Sequence, residues 1–274
     1  MKNKAIAKLM TATAVLSIFS AIAPANAASL QNSSEWNNLT GNPVQDKSTD
    51  KSGFQALLDD FRRYVQPEAE PIPENQLEKL DPKSLLLQNA QDIRVWFLNS
   101  SASYGDQIAY EATKGSSDQK GLVFQNTQNP NVGDYVDLGN FTGGTQLSFW
   151  LRANGAQPDD PHGTNPVTQQ KNIYGADPTK NPDLLDHLVA YEYKDYLILG
   201  FEDLYGPVGS TAGGNIDSVA DRDFNDAVFV LNIPKSNLRT NVPEPKTASA
   251  LLGVGAVSLL TIRRRHNRVK NNIQ

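Results

Sequence analysis

Cysteine is absent from the 274 residues of the chain, and histidine occurs only three times. The lack of cysteine excludes disulfide bonds, zinc–thiolate sites, iron–sulfur clusters and cysteine nucleophiles. Such a chain must be held together by its apolar core, by a bound metal, or by both. The sequence also lacks a G-x-S-x-G nucleophile elbow, an H-E-x-x-H zinc motif and a phosphate-cradling glycine loop. These absences favour a non-catalytic protein.

Basic residues are scarce in the central part of the chain. Residues 28–242 contain 16 lysines and arginines against 29 aspartates and glutamates, which gives a formal charge of −13, although the whole chain carries only −5. Nucleic-acid binding depends on neutralising phosphates, so a body this acidic excludes nucleic acid as a partner. The same charge suits cation binding and solubility outside the cell.

The N-terminus has the three-part layout of a secretory signal peptide. Three lysines lie within the first eight residues, an uncharged apolar run extends from Leu9 to Ile22, and Ala25-Asn26-Ala27 follows. Small residues at Ala25 and Ala27 fit the pocket of signal peptidase, so we predict cleavage after Ala27 and a signal peptide over residues 1–27. The alternative is an N-terminal membrane anchor, for which the apolar run is short.

The C-terminus is organised in a similar way. The box Val242-Pro243-Glu244-Pro245 precedes an uncharged run over residues 247–262, and the basic cluster Arg263, Arg264 and Arg265 follows. Such a cluster stays on the cytoplasmic side of a membrane. Residues 242–266 therefore resemble the PEP-CTERM sorting signal, with a transmembrane helix over 247–262 and a cytoplasmic tail over 267–274. The resemblance implies processing by an exosortase and a host that makes extracellular polysaccharide. An ordinary single-span anchor is the alternative.

The region between the two ends divides near Asp92. Residues 28–91 are interpreted as a polar lead, a short amphipathic helix over Gly53–Tyr64 and a stiff linker rich in proline and glutamate. The helix is predicted from apolar residues that recur at helical spacing. Residues 234–241 are assigned to a second linker.

From Asp92 onward the periodicity is that of β-strands. Short apolar or alternating segments are separated by Gly, Asn and Ser, and a hairpin is predicted around Lys194-Asp195. The predicted strands are 93–98, 107–113, 122–124, 134–138, 146–153, 188–193, 196–201 and 226–233. The fold class is therefore mainly β, an antiparallel, jelly-roll-like β-sandwich over residues 92–233 preceded by the short helix.

Acidic residues are concentrated in one loop of the predicted sandwich. Glu202 and Asp203 end one strand, and Asp221-Arg222-Asp223-Phe224-Asn225-Asp226 leads into the last one. Calcium takes six to eight oxygen ligands, and the D-x-D-x-N spacing begins many calcium loops, so calcium is the expected cofactor. The pattern is not an EF-hand, because the sixth position is Asp226 rather than glycine. The predicted ligands are Glu202, Asp203, Asp221, Asp223, Asn225 and Asp226. A solvated turn whose side chains bond the backbone is the alternative.

These residues also carry a family resemblance. Gly200-Phe201-Glu202-Asp203-Leu204, together with 221–229, resembles the signature of domain of unknown function 4114, a domain of secreted bacterial proteins. The resemblance extends over about 92–233 and implies a β-sandwich with cation binding and no established catalysis. The insertion Gly206–Ala220 departs from the family's tight turn and puts in doubt how closely Glu202 approaches Asp221. Asp217 is a further candidate ligand within the insertion.

Three functions follow in order of preference. The first is an exported, non-catalytic, calcium-stabilised β-sandwich at the cell surface or in the polysaccharide matrix, with signal peptidase and exosortase as processing partners. The second is a carbohydrate-binding adhesion module, for which Trp96, Tyr104, Trp150 and Tyr174 are candidate contacts. The alternative for Trp96 and Trp150, which lie in predicted strands, is a place in the core. The third is a polysaccharide-cleaving enzyme, since that chemistry requires only two carboxyl groups.

Overall fold

The structure is a computed structural model that describes residues 29–31, 33–64, 72–73, 77–100 and 102–239. The predicted signal peptide and the predicted sorting tail lie outside these described residues. Within them, no helix is both long enough and apolar enough to cross a membrane.

Strands dominate the described residues, and the helices are short. The strands are β1 (Glu78–Leu80), β2 (Gln91–Asn99), β3 (Gln107–Lys114), β4 (Ser117–Phe124), β5 (Tyr135–Phe141), β6 (Gln146–Arg152), β7 (Ile173–Gly175), β8 (Leu188–Tyr193), β9 (Tyr196–Phe201) and β10 (Ala227–Leu231). The α-helices are α1 (Ser33–Trp36) and α2 (Leu58–Arg62), and 3-10 turns occur at 29–31, 47–49, 54–57, 82–84, 178–180 and 235–237. In place of one continuous helix over Gly53–Tyr64, the structure has the 3-10 turn Phe54–Leu57 followed by α2.

The strands form two sheets. One sheet has six strands in the order β1-β8-β9-β10-β2-β5, and the other has four in the order β4-β3-β6-β7. Every pair of neighbouring strands is antiparallel. The prediction of a mainly β, antiparallel two-sheet fold is therefore confirmed.

The main core lies between the two sheets. Alternate residues of β9 and β10, such as Leu199 and Phe229, pack with Ile108 and Phe149 of the smaller sheet in one continuous apolar cluster. Their neighbours along the strands face the other way but are also buried: Ile198 and Val228 belong to a second cluster outside the larger sheet. Both faces of this sheet are therefore covered, which explains why its strands are almost continuously apolar.

The segment interpreted as a polar lead followed by the short helix supplies cover on both outer faces. Phe54 and Phe61 pack against Trp96 on the larger sheet, and Leu30 and Trp36 pack against the smaller sheet. All five side chains are at most 3% exposed. The segment is thus part of the folded body, because its few large apolar residues find uncovered apolar sheet faces to bury.

Two short strands lie where the sequence indicated none. Strand β1, within the stretch assigned to the proline- and glutamate-rich linker, pairs with β8. Strand β7, within a loop rich in proline and asparagine, pairs with β6. Each has three residues and sits at an edge of its sheet, and such brief edge strands carry too little periodicity to be recognised in a sequence.

Candidate metal centre

The pairing of β9 with β10 brings the two halves of the acidic segment together. Phe201, the last residue of β9, lies opposite Ala227, the first residue of β10. The backbone N–H of Asp226 donates to the carbonyl oxygen of Phe201 over 3.1 Å. Glu202 and Asp226 therefore emerge side by side from the same end of the larger sheet.

Three carboxylates converge at this end. Single ligand oxygens of Glu202, Asp223 and Asp226 all lie within 4.8 Å of one another, and all three residues are buried. Both carboxylate oxygens of Glu202 are buried without a hydrogen-bond partner among the described residues. An ionised carboxylate without donors is costly in a protein interior. Oxygen ligands grouped in this way match the preference of calcium.

The loop before β10 holds Asp223 through Asn225. The backbone N–H of Asn225 donates to Asp223 Oδ1 over 2.9 Å, and its side-chain Nδ2 donates to Asp223 Oδ2 over 2.6 Å. Asn225 therefore positions this carboxylate with its amide nitrogen. The loop bends through Arg222 and Phe224, which adopt left-handed backbone with φ of 63° and 62°. This conformation costs on the order of 1 kcal/mol for a non-glycine residue and persists where the surroundings enforce it.

The insertion Gly206–Ala220 does not separate Glu202 from the loop. Asn215 closes its base, because Oδ1 accepts from Tyr205 N over 2.9 Å and Nδ2 donates to Tyr205 O over 2.8 Å. The N–H of Gly209 donates to Ala220 O, which joins the two arms of the excursion. Asp217 is exposed and lies outside the cluster of three carboxylates. Asp217 is therefore wrong as a candidate ligand, because the closed excursion turns it to solvent.

A buried histidine anchors the strand end that leads to Glu202. His187 Nδ1 lies 2.8 Å from Glu202 O, and Nε2 lies 2.8 Å from Asp183 Oδ2. The ring stacks on Tyr174 with centroids 3.6 Å apart. The same Asp183 oxygen accepts from Gly206 N over 2.7 Å. Although burial opposes it, the His187 contact and these donors lower the pKa of Asp183 to about 2.

The pKa values of the clustered carboxyl groups are raised, whereas that of Asp183 is lowered. Burial raises the pKa of Glu202 to about 8; nearby Arg222 opposes the rise, and Asp221 and Asp223 add to it. Burial, followed by the charge of Glu202, raises the pKa of Asp226 well above its usual range. When ionised, these buried carboxylates therefore repel one another.

The structure brings only some of the predicted ligands together. Glu202, Asp223 and Asp226 come together. Asp221 is partly exposed, and its Oδ1 accepts weakly from Asp223 N over 3.4 Å. Asp203 is buried beside the cluster, where its N–H donates to Asp226 Oδ2 over 2.8 Å. Burial, followed by the charges of Asp226 and Asp106, raises the pKa of Asp203, so Asp106 at the start of the smaller sheet lies close to it.

Sequence reasoning missed Asp106 and Asp183. Asp106 directly precedes β3 and Asp183 lies before β8, and neither belongs to a recognisable ligand motif. The only signal available was that each carboxylate precedes a predicted strand.

The aromatic residues considered as sugar contacts are at most 5% exposed: Trp96, Tyr104, Trp150 and Tyr174. That assignment was wrong, since these rings fill the apolar clusters.

Fold and site together define an antiparallel β-sandwich with a buried acidic centre at one end. Residues 141–233 match the model of a family described as domain of unknown function (DUF4114). The match covers β6 to β10 and the whole acidic segment, which confirms the resemblance over that part of the chain. It does not include Asp106 or the strands before β6. No curated protein matches the chain, and no solved structure does.

Proposed function

We propose that this chain is an exported, non-catalytic β-sandwich whose acidic end is completed by calcium held by Glu202, Asp223 and Asp226. The observation that carries the proposal is the Glu202 carboxylate, which is buried with neither oxygen in a hydrogen bond of good geometry in the described part of the chain. The Leu204 N–H acts on it but does not offset its burial. A divalent cation would supply the missing partner for Glu202 and offset the repulsion from Asp223 and Asp226. Arg222 is the one base in the acidic segment 202–226.

The site also has a route to solvent. Asp223 lines an open groove of about 1020 Å³, together with Arg222 and Phe224 of the same loop. Glu202 and Asp226 do not line this groove. A glycosidase needs two carboxyl groups that both reach the sugar bond. The arrangement therefore favours an ion over a polysaccharide substrate.

Export fits this chemistry. The signal-peptide pattern ending at Ala27 and the Val242–Pro245 box with its arginine cluster support secretion and sorting by an exosortase. Calcium sites of extracellular modules operate with Kd values of roughly 10⁻⁴–10⁻³ M. A modest affinity would thus suffice at the cell surface or in the polysaccharide matrix.

The intact mass of the protein recovered from its host should correspond to a chain without residues 1–27 and without the arginine cluster. A full-length mass would contradict the predicted processing.

Calcium binding itself is tested by titration calorimetry. The Asp223→Asn variant should lose at least tenfold in calcium affinity, because a ligand charge is removed while the shape is kept. Asp195→Asn is a matched control: it makes the same chemical change in the exposed turn between β8 and β9, and it should bind like the wild type. Equal affinity in the wild type and Asp223→Asn would overturn the assigned site.

A further inference from the structure

A second pair of buried carboxyl groups joins the two sheets beside the first cluster. Asp106 immediately precedes β3 of the smaller sheet, and Asp203 follows β9 of the larger sheet. Asp106 is fully buried and Asp203 is 2% exposed. Each carboxyl group acts on the pKa of the other, so the two lie close together.

Each of these carboxyl groups keeps one oxygen without a donor. Asp106 Oδ1 accepts from Asn154 N over 2.8 Å, but Asp106 Oδ2 and Asp203 Oδ2 are buried with no hydrogen-bond partner among the residues described. Carboxylate oxygens only accept hydrogen bonds, so two ionised groups in contact need a shared proton or a cation between them.

Lys171, whose charge acts on Asp106, does not fill that role. Lys171 Nζ donates to Asp160 O over 2.7 Å and to His162 O over 2.6 Å, so its ammonium group is directed to those carbonyls. The Tyr174 hydroxyl is an uncharged candidate ligand in the same region. The hydroxyl of Tyr174 is buried without a partner in the described structure. Burial raises its pKa, and the charges of Asp183, Asp203 and Glu202 add to the rise.

The pair is continuous with the first cluster through Asp226. Asp226 Oδ2 accepts from Asp203 N, and its charge acts on Asp203 as well as on Glu202. Five carboxylates are therefore at most 3% exposed at one end of the sandwich: Asp106, Glu202, Asp203, Asp223 and Asp226. A single divalent cation would leave three of these negative charges uncompensated when all five are ionised.

We propose that the acidic end holds two calcium ions, the second bound between Asp106 and Asp203. This rests on the proposed function of the neighbouring site. The second ion ties the smaller sheet to the larger one, since Asp106 belongs to the former and Asp203 to the latter. Asp106 lies outside the stretch that matches the family model, so the second site uses a residue from the remainder of this chain.

The stoichiometry of calcium tests the proposal. Equilibrium dialysis of the full chain against calcium, followed by metal analysis, should give two ions per wild-type chain. Asp106→Asn and, independently, Asp203→Asn should each retain one. Asp134→Asn is the control, because Asp134 is buried but accepts from the N–H groups of Lys47 and Asn131, and it should retain two.

The two proposals fail in different ways. One ion per wild-type chain, unchanged in Asp106→Asn and lost in Asp223→Asn, would mean that Asp106 and Asp203 share a proton, and it would overturn the second site alone. Two ions in both Asp106→Asn and Asp203→Asn would also overturn it. No bound calcium in the wild type would overturn both sites.

Discussion

Two regions of this protein bury carboxylates, and they treat them in opposite ways. Asp50, in the N-terminal segment, accepts from Ser52 N, Trp96 Nε1 and Gln55 Nε2 at 2.9, 2.8 and 3.1 Å, and Arg94 Nη1 lies 2.7 Å away. Although burial opposes it, these hydrogen bonds lower the pKa of Asp50. Neither Glu202 oxygen has a hydrogen-bond partner of good geometry among the described residues, and burial raises its pKa to about 8 although Arg222 and the Leu204 N–H oppose the rise.

The difference separates a structural acid from a ligand. The charge of Asp50 is compensated by the chain itself, so its site is complete after folding. The acidic end of the sandwich supplies oxygens without donors and holds them with strained backbone at Arg222 and Phe224. Such an arrangement disfavours folding unless a partner from outside the chain is present.

Removing the satisfied carboxylate should have the largest effect. Asp50→Ala leaves the Trp96 indole N–H unpaired and Arg94 with one partner fewer, so we expect a loss of about 3 kcal/mol in the free energy of unfolding. The loss should be the same with and without calcium, as measured by urea denaturation. Asp137→Ala, which removes the more exposed partner of Arg94, should cost less. If calcium restored the stability lost in Asp50→Ala, the Asp50 site would not be independent of calcium, and the distinction between the two regions would be wrong.

Displacing the acidic loop should have a smaller effect on stability but a specific effect on calcium. A Cβ at Gly200 would lie 2.4 Å from the carbonyl oxygen of Phe224. Gly200→Ala should therefore push the loop away, cost about 2 kcal/mol and weaken calcium binding. Gly143→Ala is the control, because its Cβ would meet Gln88 O at 2.3 Å outside the acidic segment. Equal calcium affinities in the two variants would show that Gly200 does not position the site.

A further expected effect concerns pH in the absence of calcium. The pKa of Glu202 rises from an ordinary 4.5 to about 8 and that of Asp106 from 3.8 to about 7, in both cases chiefly through burial. The folded state therefore retains these protons longer than the unfolded state, and the associated stability is complete below about pH 4 and is lost as the pH rises toward 8.

In chelator, the melting temperature should consequently fall by roughly 5–10 °C or more between pH 5.5 and pH 8. Asp50 does not contribute to this slope, because its lowered pKa keeps it ionised throughout the range. Glu202→Gln should flatten the slope. A melting temperature that rises with pH in chelator would contradict the assignment of raised pKa values to the acidic end.

The sequence was informative where a pattern is local. Alternation and apolar runs located eight of the strands, and the hairpin of β8 and β9 had its predicted bounds. Sheet order depends on pairings between distant segments, and the docking of Phe54 on Trp96 joins residues far apart in the chain. Neither leaves a periodic signal in the sequence.

The acidic site was predictable only in part for the same reason. The D-x-D-x-N spacing identified Asp223 but suggested that Asp221 and Asn225 ligate equally. The left-handed backbone at Arg222 and Phe224 breaks the simple alternation, so Asp221 stays partly exposed and Asn225 turns its amide nitrogen to Asp223. Asp106 comes from the other sheet, and only the packing of the two sheets places it near Asp203.

The central claim is that the acidic end is completed by calcium, and thermal unfolding at pH 7.5 tests it most directly. Calcium at a hundredfold excess over Kd should stabilise the wild type by about 2.7 kcal/mol, equivalent to roughly 5–10 °C in melting temperature relative to chelator. Glu202→Gln should lose most of this response and be at least as stable as the wild type in chelator, since the amide avoids the cost of protonating or ionising a buried carboxyl group at this pH. Identical wild-type melting temperatures in chelator and in millimolar calcium, or a Glu202→Gln variant that is less stable in chelator, would contradict the claim.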